Sequence, residues 1–367
     1  MKLICSGLDL SDAVNKVNKA LPQKITNPIL EGIKIIAKND TLTLFATDLE
    51  LSIEKTIKAD VVTEGEFVVP GKVFGEYIKK LSNEQIEIVL NDNNQLVIRY
   101  MDSEGVIACY NIDEYPTQSI ANNASHFEID QSDFKDMINK VIFSVSSDDS
   151  RPILKGALLE IEDYTITTVA LDGFRLALCK KAVEQKVDKM KAIVPARSLK
   201  ELSNLLGDNP EIITCYIEDS YLRVETKDIK LSTRLLSGDF LNYKQIIPSE
   251  FTTNMVVNKE QFDEALDRAS ILSRVDKNNL VKLDIKENIL CLTSTSELGN
   301  ITENLTISLK GKDLTIAFNA RYLNDCMKVL DNEFIKVNFT SSVAPCVLTP
   351  CETDEFLYLI LPVRMIN

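Results

Sequence analysis

Apolar residues recur at helical spacing in six places along the chain and alternate with polar ones between them. Leu10, Ala13, Val14, Val17, Ala20 and Leu21 share one face of a predicted helix over 10–21. Val73, Tyr77, Ile78 and Leu81 do the same over 70–81. Phe134, Met137, Ile138, Val141 and Ile142 mark 132–143, and Leu199, Leu202, Leu205 and Leu206 mark 195–206. Phe262, Ala265, Leu266, Ala269 and Leu272 predict a fifth helix over 259–272, and Leu323, Cys326, Met327 and Leu330 a sixth over 318–330. Pro70 and Pro195 stand near helix starts, where a missing N–H costs nothing. Alternating stretches lie between: residues 33–36 and 42–45 around Lys38-Asn39-Asp40, 87–90 and 96–99 around four turn residues, 213–216 and 221–224 around Glu218-Asp219-Ser220. Each pair reads as a hairpin.

These elements come in a threefold beat. Val69-Pro70-Gly71-Lys72, Val194-Pro195-Ala196-Arg197 and Phe318-Asn319-Ala320-Arg321 each open a helix, at offsets of 125 and 124. Thr47-Asp48-Leu49-Glu50, Leu171-Asp172-Gly173-Phe174 and Thr295-Ser296-Glu297-Leu298 follow one another at 124 and 124. A constant offset on two independent landmarks predicts three copies of one domain of ordinary size, about 120 residues. The copies are expected at 1–124, 125–250 and 251–367, with boundaries near the polar run 118–125 and Pro248-Ser249-Glu250. Strands and helices are grouped rather than strictly alternating, which predicts an α+β class with antiparallel sheets.

Composition narrows the chemistry. The single histidine, His126, lies in a polar run, so zinc sites built on several imidazoles are excluded and a histidine-based nucleophile is disfavoured. The eight cysteines form no C-x-x-C pair and read as small buried hydrophobes of a reducing, cytoplasmic protein. No phosphate-binding glycine loop occurs, the N-terminus is too soon polar for a signal peptide, and no apolar run is long enough for a membrane span. No cofactor is expected. Asp48 and Asp172 recur in two copies and are replaced by Ser296 in the third, a pattern that favours a repeated structural turn over paired catalytic carboxylates. The net charge of −14 argues against phosphate binding. Yet the six helical stretches hold 13 basic and 10 acidic residues, so the acidity belongs to strands and loops.

Local motifs carry a resemblance over the whole length. Asn27-Pro28-Ile29-Leu30 and Ala46-Thr47-Asp48-Leu49-Glu50, then Arg151-Pro152-Ile153-Leu154-Lys155-Gly156 and Ala170-Leu171-Asp172-Gly173-Phe174-Arg175-Leu176-Ala177, then Leu361-Pro362-Val363-Arg364-Met365, follow one another as in the bacterial DNA polymerase III beta subunit, the replicative sliding clamp family. The chain departs from that family at Leu171 and Phe174, where Thr and His are common, and at Leu241, where Pro is common.

The resemblance implies a non-catalytic clamp: a head-to-tail homodimer whose six domains form a ring around duplex DNA. It implies DNA-facing cations at Lys24, Lys72 and Arg197, to which repeat equivalence adds Arg321. It implies a dimer contact through Ile271 and Leu272 against a strand near Val106 and Ile107; Leu272 fits its own helix stripe and Ile271 lies off it. It also implies an apolar pocket that takes short linear peptides of the polymerase, the clamp loader and repair proteins. The pocket residues are Leu154, Leu171, Gly173, Phe174, Arg175, Leu176, Leu241, Ile246, Pro345, Leu361, Pro362, Val363 and Met365, with Arg175 and Arg364 orienting the peptide's polar ends. The competing expectations are an acidic peptide-binding scaffold that ignores DNA, and an enzyme using Asp48 and Asp172.

Overall fold

A computed structural model describes residues 1–24, 27–81, 84–116, 125–218, 220–275 and 279–365. Its helices are α1 (Gly7–Val17), α2 (Gly71–Ile78), α3 (Gln131–Ile142), α4 (Ala196–Leu205), α5 (Lys259–Ser273) and α6 (Ala320–Met327). All six fall on predicted stretches. Side-chain caps fix several starts: Ser6 accepts from the Asp9 amide, Asn258 from Gln261, and Asn319 from Arg321. Pro70, Pro195 and Asn319 are the last residues of strands, so α2, α4 and α6 begin one or two residues later than their stripes suggest.

The expected face of α2 is out of phase. Phe74 and Ile78 are buried, whereas Val73 is exposed and Tyr77 only half-buried. Gly75 explains the phase: a Cβ there would meet Asn18 and Val14 at 2.5 and 3.1 Å, so the glycine lets α1 approach on the Phe74 side. The other stripes pack as read, except that Ile142, Leu205 and Leu272 are half-buried.

Two compact units form, and they do not follow the repeats. The first holds Met1–Ser132 and Asn204–Leu235, the second Asp133–Ser203 and Leu236–Asn367. The reason is strand pairing between successive repeats. In the first unit an eight-stranded antiparallel sheet runs Ser125–Asp130, Ile212–Ile217, Tyr221–Glu225, Ile229–Arg234, Leu51–Lys58, Thr41–Thr47, Gly32–Lys38, Gly65–Pro70. A five-stranded sheet runs Asp60–Thr63, Lys2–Ser6, Gln85–Leu90, Gln95–Tyr100, Ser103–Ala108. In the second unit a seven-stranded sheet runs Gly156–Leu171, Arg175–Pro195, Phe356–Ile360, Cys346–Pro350, Phe334–Phe339, Thr253–Asn258, Ser308–Gly311. A four-stranded sheet runs Gly299–Thr306, Ile289–Ser296, Leu280–Lys286, Leu314–Asn319.

The three strand pairs form as read, and positive φ at Asn39, Asp40 and Asn94 closes the first two; Asp219 of the third turn and 118–124 of the expected boundary run lie outside the described residues. His126 stands inside the strand Ser125–Asp130, at the end of its sheet, beside the Tyr216 ring. All eight cysteines are free; Cys5, Cys179, Cys215, Cys326 and Cys346 are buried. Burial pushes the Cys5 and Cys179 thiols up to about 12, which removes thiolate reactivity. Among the described residues no helix is long and apolar enough to cross a membrane, and no His, Cys, Asp or Glu group could hold a metal ion.

Candidate functional site

The second unit carries an apolar row that crosses four strands. Leu171 pairs with Leu176, Leu176 with Leu359, and Leu359 with Val347. All four are buried and share one core cluster, against which Leu154 and Ile246 pack half-buried. Side chains alternate across a strand, so one step further along the same face come Phe174, Leu361 and Pro345. Leu361 donates its amide to the Phe174 carbonyl at 2.8 Å. The Cys346–Ile360 pairing sets Pro345 opposite Leu361. Thus Leu154, Leu171, Leu176 and Ile246 pack in one cluster, and Phe174, Leu361 and Pro345 extend its face at the strand ends.

The turn before this row is built by Asp172. Its Oδ1 accepts from the amides of Phe174 and Arg175 at 2.8 and 3.0 Å. Gly173 adopts φ +95°, a left-handed geometry that suits glycine. Asp48 makes the same turn in the first repeat, accepting from the amides of Glu50 and Leu51, and in the third Ser296 Oγ accepts from Leu298. These side chains cap backbone turns, as the repeat pattern favoured.

The Arg175 side chain is buried and already bonded within the chain. It alternates with Leu176 and so faces the helices rather than the apolar row. Its guanidinium donates to Asp172 Oδ2 at 3.0 Å, Asp325 Oδ2 at 2.7 Å and the Phe143 carbonyl at 2.7 Å. It also lies 4.4 Å from the Tyr322 ring centre. The residue braces the turn from behind. Phe174, 59% exposed, stacks on Tyr322 with ring centres 6.4 Å apart.

The C-terminal tail is fixed rather than frayed through Val363, whose amide donates to the Ala317 carbonyl at 2.8 Å. Pro362 and Val363 are half-buried, while Arg364 and Met365 are exposed. Leu241 is 53% exposed beside a 3-10 turn at Tyr243–Gln245. Gly238 takes φ +133°, and the Ile153 side chain fills the space a Cβ there would need.

The repeat relation supplies an internal control. In the first unit the equivalent row is Thr47, Ser52, Ser232 and Arg223, paired in the same order. Thr47 and Ser52 hydroxyls lie 2.8 Å apart and Arg223 sits 4.3 Å over the Tyr216 ring. The next row there contains the Glu54–Lys230 ion pair at 3.0 Å. One backbone arrangement is therefore apolar in the second unit and polar in the first. Leu359, Val347 and Tyr322 are site neighbours that motif reading missed. The Leu171/Leu176 hairpin alternation was the available signal for the face, but not for which strand adjoins it.

The expected cations stand at matching places. Lys72, Arg197 and Arg321 are each the second residue of α2, α4 and α6, and each is exposed, as is Lys24. Arg321 reaches Asp325 at 4.0 Å. Of the expected dimer residues, Val106 is exposed and Ile107 half-buried on Ser103–Ala108, the terminal strand of its sheet. Ile271 is 61% exposed on α5, and Leu272 is half-buried. This helix packs on Gly299–Thr306, the terminal strand of the four-stranded sheet.

Comparison with known proteins gives a consistent answer over the full length. Residues 1–119, 128–242 and 244–364 match the N-terminal, central and C-terminal domain models of the DNA polymerase III beta subunit. The beta sliding clamp of Halalkalibacterium halodurans is 36% identical over 365 residues, 96% of each chain. That of Bacillus subtilis is 32% identical, covering 97% of each. The crystal structure of the Bacillus subtilis sliding clamp superposes with a TM-score of 0.96 at 31% identity, with both chains fully covered. The Thermotoga maritima beta subunit gives 0.92, also at 31% and full coverage. With three domain models matched in order and relatives above 30% identity end to end, the chain belongs to the DNA polymerase III beta subunit family, the beta sliding clamps.

Proposed function

We propose that two copies of this chain close head to tail into a six-domain ring around duplex DNA and tether the replicative polymerase for processive synthesis, without catalysis. The domains are 1–124, 125–250 and 251–367, and the ring acts in the cytoplasm. One observation carries the reading: of the strands that end the four sheets, Ser103–Ala108 and Gly299–Thr306 lie beside the apolar residues expected at the dimer contact. Exposed apolar residues flank both, Val106 on one and Ile271 beside the other. Pairing of one edge with the other edge of a second copy hides both templates for aggregation. Such a heterologous contact, made twice, closes into a ring.

Lys24, Lys72, Arg197 and Arg321 face the DNA as diffuse phosphate attraction. Contacts to phosphate position a protein without reading sequence, which a sliding ring requires. The groove around Leu154, Leu171, Leu176 and Ile246, with Gly173, Phe174, Leu241, Pro345 and Leu361–Met365 at its margins, takes short peptides of the polymerase, clamp loader and repair proteins. Its apolar row, against the polar row of the first repeat, supports one such groove per chain rather than one per repeat junction. A few buried apolar anchors supply affinity, roughly 1.5–3 kcal/mol for each large side chain. The test of closure is sedimentation of the Ile271→Asp/Leu272→Asp variant. Wild type sediments as a dimer at micromolar concentration and the variant as a monomer; a variant that remains dimeric refutes this interface.

A further inference from the structure

The stretch 236–251 lies over the groove face of the seven-stranded sheet, with Leu236, Phe240, Tyr243, Ile246 and Phe251 packed on its core cluster. It carries two groove residues, Leu241 and Ile246. Its only regular structure is the single turn Tyr243–Gln245. Tyr243, Lys244 and Ile247 also border a cleft of about 1040 Å³, lined as well by Glu160, Thr349 and Lys336. Apolar packing holds one side of this wall, and the side that borders the cleft is held by polar contacts.

Glu160 supplies the hold. Its side chain is only 6% exposed. Oε2 accepts from the Tyr243 hydroxyl at 2.6 Å and from Lys244 at 3.2 Å, and Oε1 from Lys191 at 2.7 Å. Burial alone raises the carboxyl's affinity for protons, but the bonds from Lys191, Tyr243 and Lys244 outweigh it and hold the group at about 2. Burial and the neighbouring Glu160 raise the Tyr243 phenol, which stays a donor. The contact is therefore a charge-assisted hydrogen bond over the whole neutral range.

We propose that Tyr243 and Glu160 are positioning residues of the partner groove: their hydrogen bond pins the turn that carries Leu241 and Ile246 and so sets peptide affinity. This rests on the peptide-groove reading above. Neither residue touches the peptide; both act through the wall. Sequence alone gives no hint of the pair, which lies 83 positions apart.

The first arm needs no peptide. Amide exchange in the full-length protein reads the Gln245 and Ile246 amides, which bond to Asn242 and Tyr243 carbonyls. Tyr243→Phe accelerates them about tenfold, the size set by losing one hydrogen bond to a charged acceptor, while amides of Phe356–Ile360 keep their rates. Glu160→Gln retains an acceptor of the same shape and gives a milder effect, about threefold, and it carries the test if Tyr243→Phe does not fold. The second arm uses labelled hexapeptides bearing two large apolar side chains. The tightest binder loses about tenfold affinity on Tyr243→Phe, yet less than about twofold further when Ile246→Ala is already present. Wild-type exchange rates in Tyr243→Phe, or losses that multiply in full with Ile246→Ala, overturn the inference alone. If no hexapeptide binds the wild type, the groove reading falls with it.

Discussion

Replacing Met365 with aspartate tests the groove where folding is least disturbed. Met365 is 39% exposed, so about two-fifths of its side chain remains for a partner to cover. Full burial of a methionine is worth about 1.5–3 kcal/mol, and the remaining share is about 0.6–1.2 kcal/mol. Met365→Ala forfeits that amount, roughly three- to eightfold in Kd. Aspartate adds the cost of placing a polar group against an apolar partner without a hydrogen bond, about 1–3 kcal/mol. The expected loss for Met365→Asp is therefore about 2–4 kcal/mol, or thirty- to a thousandfold. Fluorescence anisotropy of a labelled hexapeptide with two apolar anchors measures Kd directly. Sedimentation run beside it reports the dimer, which both variants retain because Met365 lies on the tail, outside the proposed contact. Unchanged peptide affinity in Met365→Asp, or a parallel loss of dimer, refutes the assignment of the tail to the groove.

Two further outcomes follow from the electrostatics. Glu160 is held at about 2 against an ordinary carboxyl near 4.5. A depressed carboxyl stabilises fully above its unfolded value, and that stability is lost as pH falls through the folded one. The second unit should therefore lose on the order of 2 kcal/mol between about pH 4.5 and pH 2, and Glu160→Gln should flatten that part of an acid-unfolding curve; equal slopes for the two proteins contradict the clasp. Removing Lys72, Arg197 and Arg321 together should reduce the slope of log K against log salt for DNA by about 0.9 for each phosphate no longer neutralised. An unchanged slope removes these cations from the DNA face.

What the sequence disclosed depended on how local the cause was. The repeats, five of the six helix faces and the hairpins rest on spacing within one segment, and they are visible by inspection. The α2 face departs from its apolar pattern because Gly75 admits a neighbouring helix, a tertiary fact that the pattern does not record. The motif around Arg175 implies a peptide contact. Alternation across the strand turns it the other way, onto Asp325 of α6. Half of the apolar row, Leu359 and Val347, comes from strands of the third repeat, and only their pairing beside Arg175–Pro195 brings them there. The contrast between Leu171/Leu176 and Thr47/Ser52 was available by overlaying the repeats. Its meaning emerges once both pairs are seen at the same place in equivalent sheets.

Encirclement is the claim on which the rest depends, and DNA topology measures it without reference to any single residue. Protein assembled on a nicked circular plasmid and separated from free protein by gel filtration should remain with the circle at moderate salt. Cutting the plasmid once should release it within the time of the column run, since a ring slides off an end that a bound protein does not notice. Equal retention on circular and linear DNA, or none on either, contradicts a closed ring.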